Sequence, residues 1–415
     1  MSYKLEKKLN YQRFFTVVNL LLGLFIVSFC IWFIIDVRAP FYVGNNVVIF
    51  VDFLYYYVAG KIYLSNDYIK IYDMDAQQQI FTQLMDYPVE KLVPYLYPPQ
   101  TLLFFIPLSY FSLGGGLCIW RIFNIILTFM FPMMLRYCGV SSDNKTMLYI
   151  AVSLIILSFP WLLNTYHGQV NIVILLGLWG GYLLIQKDRF LLASLLIMIT
   201  AFKPQLFVIP ILYFLTVYGV RMWLNITIAF IVTIISCSLI FGFDVWIEYI
   251  KTLSFASSRI HSGTSVESMG NFRALFLLIF GREYFPYINL ASIAIWIVGM
   301  IASVIIGFLF KNKSAKMIDF GFALCVSISC FFNPWIHIYS FILLLIPIAY
   351  LVKYVQFRPV FTYIAFIFCF NFLALLINSL KSNLNSLLWL PTQFVLLYII
   401  IYQIRKLYMQ SSVES

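Results

Sequence analysis

The sequence predicts an all-α fold, a polytopic bundle of about 12 or 13 membrane-spanning helices. Composition is the first indication: 63% of the 415 residues are hydrophobic and 10% are charged, against roughly half and roughly a quarter in soluble domains. The mean hydropathy of +0.93 points the same way. The long apolar runs lack the two-residue alternation of a membrane barrel, so helices are the expected spanning elements.

The N-terminal segment supplies the first predicted span. An apolar run from about Phe14 to Ile35 follows the basic residues Lys4, Lys7, Lys8 and Arg13. It is longer than the core of a signal peptide, and no small-residue cleavage site follows it. The positive-inside rule therefore predicts a retained helix whose N-terminus lies in the cytoplasm.

The remaining predicted spans share an apolar composition and short polar joins. They lie at residues 98–112, 117–135, 147–163, 170–186, 190–202, 206–220, 223–242, 288–310, 319–333, 338–352, 359–377 and 387–404. Counting crossings forward from the N-terminus and back from the basic loops near the C-terminus gives results that differ by one. The ambiguity lies in residues 97–146, so 12 and 13 spans both stay open.

The chain shows no internal repeat or domain boundary, so residues 1–415 are predicted to form one membrane domain with two large exoplasmic loops, 36–96 and 243–287. In the first loop, Asn45 or Asn46 can cap a helix that runs through Asp52 and ends at Gly60. This stretch is short and aromatic, which predicts an interfacial helix. A second short helix, about 76–86, is predicted to start from Asp75 with Gln78 in capping-box spacing.

Charge and cysteine usage exclude several functions. The net charge of +11 is typical of basic cytoplasmic loops. The sequence lacks the basic stripe interleaved with aromatic residues that would indicate nucleic-acid binding. The seven cysteines are odd in number, lie mostly in apolar segments and form no CxxC motif, which argues against a disulfide framework. The spacing of His, Cys and acidic residues predicts no metal site and no cofactor.

Polar clusters gather at the predicted exoplasmic ends of the spans: "YLYPPQ" (95–100), "NTYHGQVN" (164–171), "AFKPQ" (201–205), "NFR" (271–273) and "NPWIH" (333–337). Each cluster alone has an ordinary explanation as a helix break, an aromatic belt or a snorkelling cation. Their coincidence on one face, together with all three histidines (His261 included), favours a functional site. The candidate residues are Asp52, Tyr97, His167, Gln169, Asn171, Lys203, Gln205, Arg273 and His337.

These residue types favour glycosyl transfer from a lipid-linked donor. One carboxylate, Asp52, can take the proton of an acceptor hydroxyl, and cations can stabilise a departing polyprenyl phosphate. Aromatic walls suit sugar rings and isoprenoid chains. A donor that arrives through the bilayer needs no glycine-rich nucleotide loop.

A further pattern is formed by six stretches in a fixed order: "VDFLYYYVAG" (51–60), "IYD" (71–73), "YLYPPQTLLFFIPLSYF" (95–111), "GQVN" (168–171), "FKPQ" (202–205) and "NPWIHIY" (333–339). Together they resemble glycosyltransferase family eighty-seven of the GT-C superfamily. The resemblance implies a polyprenol-phosphate-mannose-dependent mannosyltransferase with juxtamembrane helices in the first loop. It implies that Asp52 is the catalytic base, that Lys203 and Arg273 lie near the donor phosphate, and that His337 belongs to a Pro–aromatic–His motif. Ile338 stands where the family often has a second His.

The expected partners are a polyprenyl-phosphate sugar donor, a lipid or glycan acceptor and membrane lipids, at the exterior face of a bacterial inner membrane. The sugar can be mannose or another hexose or pentose. A lipid-linked sugar flippase or transporter is the alternative, although transporters usually place ionisable residues at mid-membrane and show repeat symmetry. A polymerase or ligase of the O-antigen type is a second alternative, although these carry their largest outer loop late in the chain.

Overall fold

The computed structural model describes residues 43–44, 47–48, 52–66, 68–85, 95–139, 158–259, 269–354 and 385–411. Several sequence predictions lie outside these residues: the span 14–35, the span 359–377, most of the span 147–163, and the placement of His261.

The described chain is almost entirely helical, which confirms the predicted fold class. The α-helices in chain order are α1 (Phe53–Leu64), α2 (Met74–Met85), α3 (Leu102–Ser109), α4 (Leu113–Thr128), α5 (Phe131–Tyr137), α6 (Phe159–Tyr166), α7 (Asn171–Ile185), α8 (Phe190–Thr200), α9 (Pro204–Tyr218), α10 (Val220–Phe241), α11 (Asp244–Arg259), α12 (Phe272–Phe280), α13 (Phe285–Phe310), α14 (Ala315–Phe332), α15 (Leu345–Tyr354) and α16 (Asn385–Ser411). Short 3-10 helices lie at Tyr68–Tyr72, Pro99–Thr101, Arg282–Tyr284 and Ile338–Leu344. Ahead of α1, β1 (Val43–Gly44) and β2 (Val47–Val48) pair as antiparallel strands.

Four helical segments of the described ranges are long and apolar enough to cross a membrane: Leu113–Tyr137, Val220–Phe241, Arg282–Phe310 and Ala315–Phe332. They match the predicted spans 117–135, 223–242, 288–310 and 319–333. A fifth arises if Pro160–Tyr166 and Asn171–Ile185, which are bent by 120° relative to each other, form one broken span.

Other apolar helices are shorter than the hydrocarbon core of a bilayer. α3, α8 and α9 have 8, 11 and 15 residues, and even a 15-residue helix extends only about 22 Å against a core of roughly 30 Å. In position these helices match the predicted spans 98–112, 190–202 and 206–220. The total of 12 or 13 spans stays a prediction.

α14 lies at the centre of the bundle, whereas α10 and α13 lie at its outside. In α14, 78% of the apolar window is buried, against 22% in each outer segment. Gly307 lets α13 approach α9 closely, because an added Cβ would lie 2.6 Å from Thr216 Cβ; small residues bring helix backbones together in the same way in lipid. The exposed Leu, Ile and Phe side chains of α10 and α13 form an apolar outer surface that is suited to contact with lipid.

α1 differs from its prediction in two ways. It begins at Phe53, with Asp52 at its N-cap position, rather than near Asn45 or Asn46. It continues through Gly60 to Leu64, because Gly60 serves close packing: a Cβ there would lie 2.1 Å from Ser109 Oγ on α3. Aromatic and aliphatic side chains bury α1 within the protein, and its interfacial position stays a prediction.

The described residues of the two predicted outer loops are largely helical and pack against each other. α11 lies against the 3-10 helix Tyr68–Tyr72: the rings of Tyr72 and Tyr249 are 5.6 Å apart, and Thr252 Oγ1 donates to Tyr72 O. The predicted second helix exists as α2, but the Ala76 N–H donates to Asp73 Oδ1 (2.7 Å), so Asp73 rather than Asp75 is its N-cap.

A buried ion pair ties the ends of α7, α14 and α15 together at one end of the bundle. Asp319 on α14 is 1% exposed, and Lys353 Nζ lies 2.8 Å from its Oδ2. Tyr182 OH on α7 donates to Asp319 Oδ1 at 2.7 Å. Since α7 begins at Asn171 and α14 ends at Phe332, the opposite ends of these helices meet elsewhere, at the clusters predicted to form the site.

We expect Gly60→Ala to destabilise the protein by about 1–3 kcal/mol, because the new methyl group overpacks the α1–α3 contact. Thermal unfolding of the purified protein in detergent measures the effect. Gly180→Ala is the matched control, since its Cβ would meet the flexible Leu196 side chain at 3.2 Å. Addition of Ser109→Gly should recover part of the loss. An unchanged melting temperature in Gly60→Ala would show that the helices separate freely.

Candidate active site

A sharp chain reversal between α6 and α7 brings His167 to Asp52. The Phe53 N–H donates to His167 O (2.9 Å), and His167 Nδ1 lies 3.9 Å from Asp52 Oδ2. Gly168, with φ of 65°, is required at this reversal, because a Cβ would lie 2.6 Å from Phe53 Cβ. The Asp52 side chain remains 27% exposed, so an incoming hydroxyl group can reach its carboxylate.

Lys203 lies beside this reversal and is nearly buried, with 8% of its side chain exposed. Its Nζ donates to Gln169 Oε1 (2.9 Å) and Asn171 Oδ1 (3.2 Å). The ring of Tyr339 lies 4.6 Å from Nζ, a cation–π distance. Burial lowers the pKa of Lys203, and the nearby Asp52 carboxylate opposes this effect. The predicted residues Gln169, Asn171 and Lys203 therefore form one hydrogen-bonded group.

Aromatic rings line one side of the group formed by Gln169, Asn171 and Lys203, on the side where α1 lies. Tyr56 OH donates to Gln169 Oε1 (3.3 Å), and Tyr97 OH approaches the same oxygen at 3.5 Å. The Tyr56 and Tyr97 rings are 4.5 Å apart, and Tyr56 stacks on Phe105 at 4.1 Å. Burial raises the pKa of both phenols, so they remain neutral hydrogen-bonding groups.

The segment 333–337 is fixed from two sides. Asn271 caps α12 through its Oδ1, and its Nδ2 donates to Pro334 O (2.9 Å). Asn333 Nδ2 donates to Gln205 O (3.2 Å). Gln205 thus enters the cluster through its backbone carbonyl, and a binding role for its side chain stays a prediction.

His337 lies between the Lys203 group and Arg273. Its ring stacks on Tyr339 with centroids 5.1 Å apart. Burial lowers the pKa of His337; Lys203, His167 and Arg273 act in the same direction, whereas Asp52 opposes them. A neutral imidazole follows, able to donate one hydrogen bond and accept another.

Arg273, in the first turn of α12, is fully buried, and its guanidinium makes no hydrogen bond to the described part of the chain. Its guanidinium lies 4.8 Å from the Phe285 ring centroid. Nε, Nη1 and Nη2 have no hydrogen-bond partner among the described residues. Leaving a buried charged group unsatisfied is costly, which indicates that an anion belongs there. A single anion site shared by Lys203 and Arg273 stays a prediction, although both cations act on His337.

Sequence reasoning missed several residues of the cluster. Tyr339, the last residue of the stretch 333–339, contacts Lys203, and the next residue, Ser340, contacts Asn171; neither is among the predicted site residues. Asn124 and Asn164 are fully buried beside Asn171. The available signal was a polar amide inside an apolar helix, since Asn124 lies within α4. In the described ranges, no three His, Cys, Asp or Glu side chains come together as a metal site.

The fold and this cluster define a helical membrane protein with a polar, aromatic-walled site at one end of its bundle. Comparison with family models gives a match to glycosyltransferase family 87 over residues 95–334, more than half of the chain. The protein belongs to this family and is a membrane glycosyltransferase. The matched segment includes Tyr97, Lys203 and Arg273, whereas Asp52 precedes it and His337 follows it. Comparison with curated proteins and with solved structures gave no significant match.

We expect Arg273→Met to stabilise the ligand-free protein by about 1–4 kcal/mol, because an apolar side chain of similar length removes an unpaired buried charge. Thermal unfolding without substrate measures this change. Arg121→Met is the matched control: Arg121 is also buried, but its Nη2 donates to Tyr166 O (3.1 Å), so the same substitution should destabilise the protein. A loss of stability in both variants would contradict the assignment of Arg273 as unpaired.

Proposed function

We propose that the protein transfers a sugar, mannose or another hexose or pentose, from a polyprenyl-phosphate carrier to a hydroxyl group of a lipid- or glycan-linked acceptor. The reaction takes place at the outer face of a bacterial inner membrane. The observation that carries the proposal is that an accessible carboxylate, Asp52, lies near enough to act electrostatically on a nearly buried ammonium, Lys203, in one cluster lined by aromatic rings.

Asp52 acts as the general base. The acceptor oxygen forms a bond to the anomeric carbon, its proton passes to Asp52, and the bond from that carbon to the phosphate oxygen breaks with its electron pair on the polyprenyl phosphate. A correctly placed base contributes about a hundredfold to ten-thousandfold in rate. The backbone hydrogen bond from Phe53 to His167 supports this role, because it fixes the start of α1 against the site.

The cations bind the donor phosphate. The Arg273 donors, which have no partner in the described ranges, can make a bidentate contact with phosphate oxygens. The Lys203 ammonium uses two of its three protons in the hydrogen bonds that the described residues show, so a third can bind the phosphate. His337, as a neutral imidazole, can add a further donor. On this assignment Arg273→Met, though more stable, should raise the apparent KM for the donor.

Aromatic side chains bind the sugar ring and the first isoprene units. Tyr97 and Tyr339 lie on either side of Lys203, at 6.0 and 4.6 Å from Nζ. Gln169 and Asn171 would contact sugar hydroxyls only by exchanging hydrogen bonds that they now make to Lys203. We therefore assign them to donor binding through Lys203, with His167 beside the acceptor.

We expect Asp52→Asn to lower kcat by about a hundredfold to ten-thousandfold, because the amide keeps the shape of the carboxylate but cannot take a proton. The measurement is sugar transfer from a polyprenyl-phosphate donor by purified protein. Asp75→Asn, an exposed acid on α2, is the control and should retain activity. Equal activity of Asp52→Asn and wild type would remove Asp52 from the mechanism. Donor translocation without any glycosylated product would favour the flippase alternative.

We expect Ser65→Cys, just after α1, to react with a membrane-impermeant maleimide in intact cells, because the first loop is proposed to be exoplasmic. Lys313→Cys, between α13 and α14, should react only after the inner face is opened. Both variants need a background without the seven native cysteines. The reverse pattern would place the site in the cytoplasm and reject the outer-face reaction.

A further inference from the structure

Three buried asparagines on three helices form a continuous hydrogen-bonded chain that ends at Lys203. Asn124 Nδ2 donates to Trp120 O (2.9 Å), and Asn164 Nδ2 donates to Asn124 Oδ1 (3.3 Å). Asn164 Oδ1 accepts from both the backbone N–H and the Nδ2 of Asn171, at 3.1 and 3.0 Å. Asn171 Oδ1 then accepts from Lys203 Nζ. All three amides are fully buried.

The direction of every amide in this chain follows from one backbone carbonyl. Trp120 O can only accept, so the amino group of Asn124 must face it, and the Asn124 oxygen faces Asn164. The Asn164 amino group therefore points to Asn124, and its oxygen points to Asn171. By the same reasoning the oxygen of Asn171 faces Lys203. Reversal of any one amide would place donor against donor and acceptor against acceptor.

We propose that Asn124 and Asn164 are positioning residues that fix the orientation of Asn171, so that an amide oxygen always faces Lys203 and holds its amine in the charged form. Neither side chain touches Lys203, so both act through Asn171. The inference rests on the proposed function in one respect only, that the charged ammonium serves the donor phosphate.

The surroundings of Lys203 make this orientation matter. Its charge is opposed by burial and supported by Asp52, with the phenols of Tyr97 and Tyr339 at its sides. Gln169 and Asn171 supply the oxygens that replace water around the ammonium. If Asn171 turned its amino group to Lys203, the ammonium would lose one acceptor and face a repelling dipole. The pKa of Lys203 would then be lower, and the amine would lose its proton at a lower pH.

The test measures the titration of Lys203 without substrate. The full-length protein in detergent is labelled with trace acetic anhydride between pH 5 and 11, and mass spectrometry gives the labelling midpoint of each lysine. We expect Asn164→Leu to lower the Lys203 midpoint by about one pH unit, since a hydrogen bond to a charged group has this size. Asn124→Leu should act in the same direction, and it provides the test if Asn164→Leu does not fold. Asn225→Leu, which changes a half-buried asparagine on α10 whose Nδ2 donates to Arg221 O, should leave the midpoint unchanged.

Ser340→Ala separates positioning from a general loss of structure. Ser340 Oγ donates to the same Asn171 oxygen (3.1 Å), so its removal leaves Lys203 as the remaining side-chain donor to that oxygen among the described residues. The midpoint should then stay or rise. Unchanged Lys203 midpoints in Asn164→Leu and Asn124→Leu would overturn the proposal, and so would an equal fall in Asn225→Leu or Ser340→Ala.

The pH dependence of sugar transfer is the second measurement. In Asn164→Leu the alkaline limb of the kcat/KM profile should move to lower pH together with the labelling midpoint, because a cation with a lower pKa loses its proton sooner. A midpoint shift in a protein that transfers no sugar would support the positioning role and reject the proposed function. If the Lys203 midpoint shifts in Asn164→Leu but the alkaline limb of the active protein stays unchanged, the positioning role is supported and the proposed role of the ammonium at the donor phosphate is rejected.

Discussion

Solvation of the Lys203 ammonium inside an apolar bundle is the interaction on which the rest of the site depends. A buried charge without partners is too costly to maintain, so oxygen atoms must be brought to it. Gln169 and Asn171 supply them, and both follow the reversal that only Gly168 permits. The same reversal packs on Phe53 and holds the start of α1. Lys203, the reversal and Asp52 are therefore one structural unit.

Buried charges at the two ends of the bundle differ in whether they have hydrogen-bond partners among the described residues. At one end Asp319 is paired with Lys353 and accepts from Tyr182, so its charge is satisfied within the protein. At the other end the Arg273 guanidinium has no partner among the described residues. Native proteins rarely leave such groups unsatisfied except where a ligand completes them. The contrast supports the proposal that one end is a structural tie and that the other gives up stability for binding.

The burial of α1 and α11, which lie in the two predicted exoplasmic loops, explains why these segments are helical rather than extended. α1 is covered on both faces, and α11 lies on the short helix that follows it. A buried segment must satisfy its own backbone N–H and C=O groups, and a helix does so locally. These segments consequently enclose the aromatic side of the site, with Tyr56, Tyr97 and Phe105 in contact.

The sequence alone determined that the protein lies in a membrane, that it is helical, where the longest spans lie, and at which helix ends the polar clusters meet. The bilayer requires long apolar runs and helices, and both can be recognised in the sequence. Gln169 and Asn171 could also be assigned to one site, because they are close together in the sequence. Tertiary structure decided what depends on distant partners. Gly60 reads as a helix stop until Ser109 of α3 is placed against it. Asn124 reads as an isolated polar residue until Asn164, forty positions later, hydrogen-bonds to it. Local sequence cannot specify such contacts, since each is set by the packing of helices that the chain brings together only on folding.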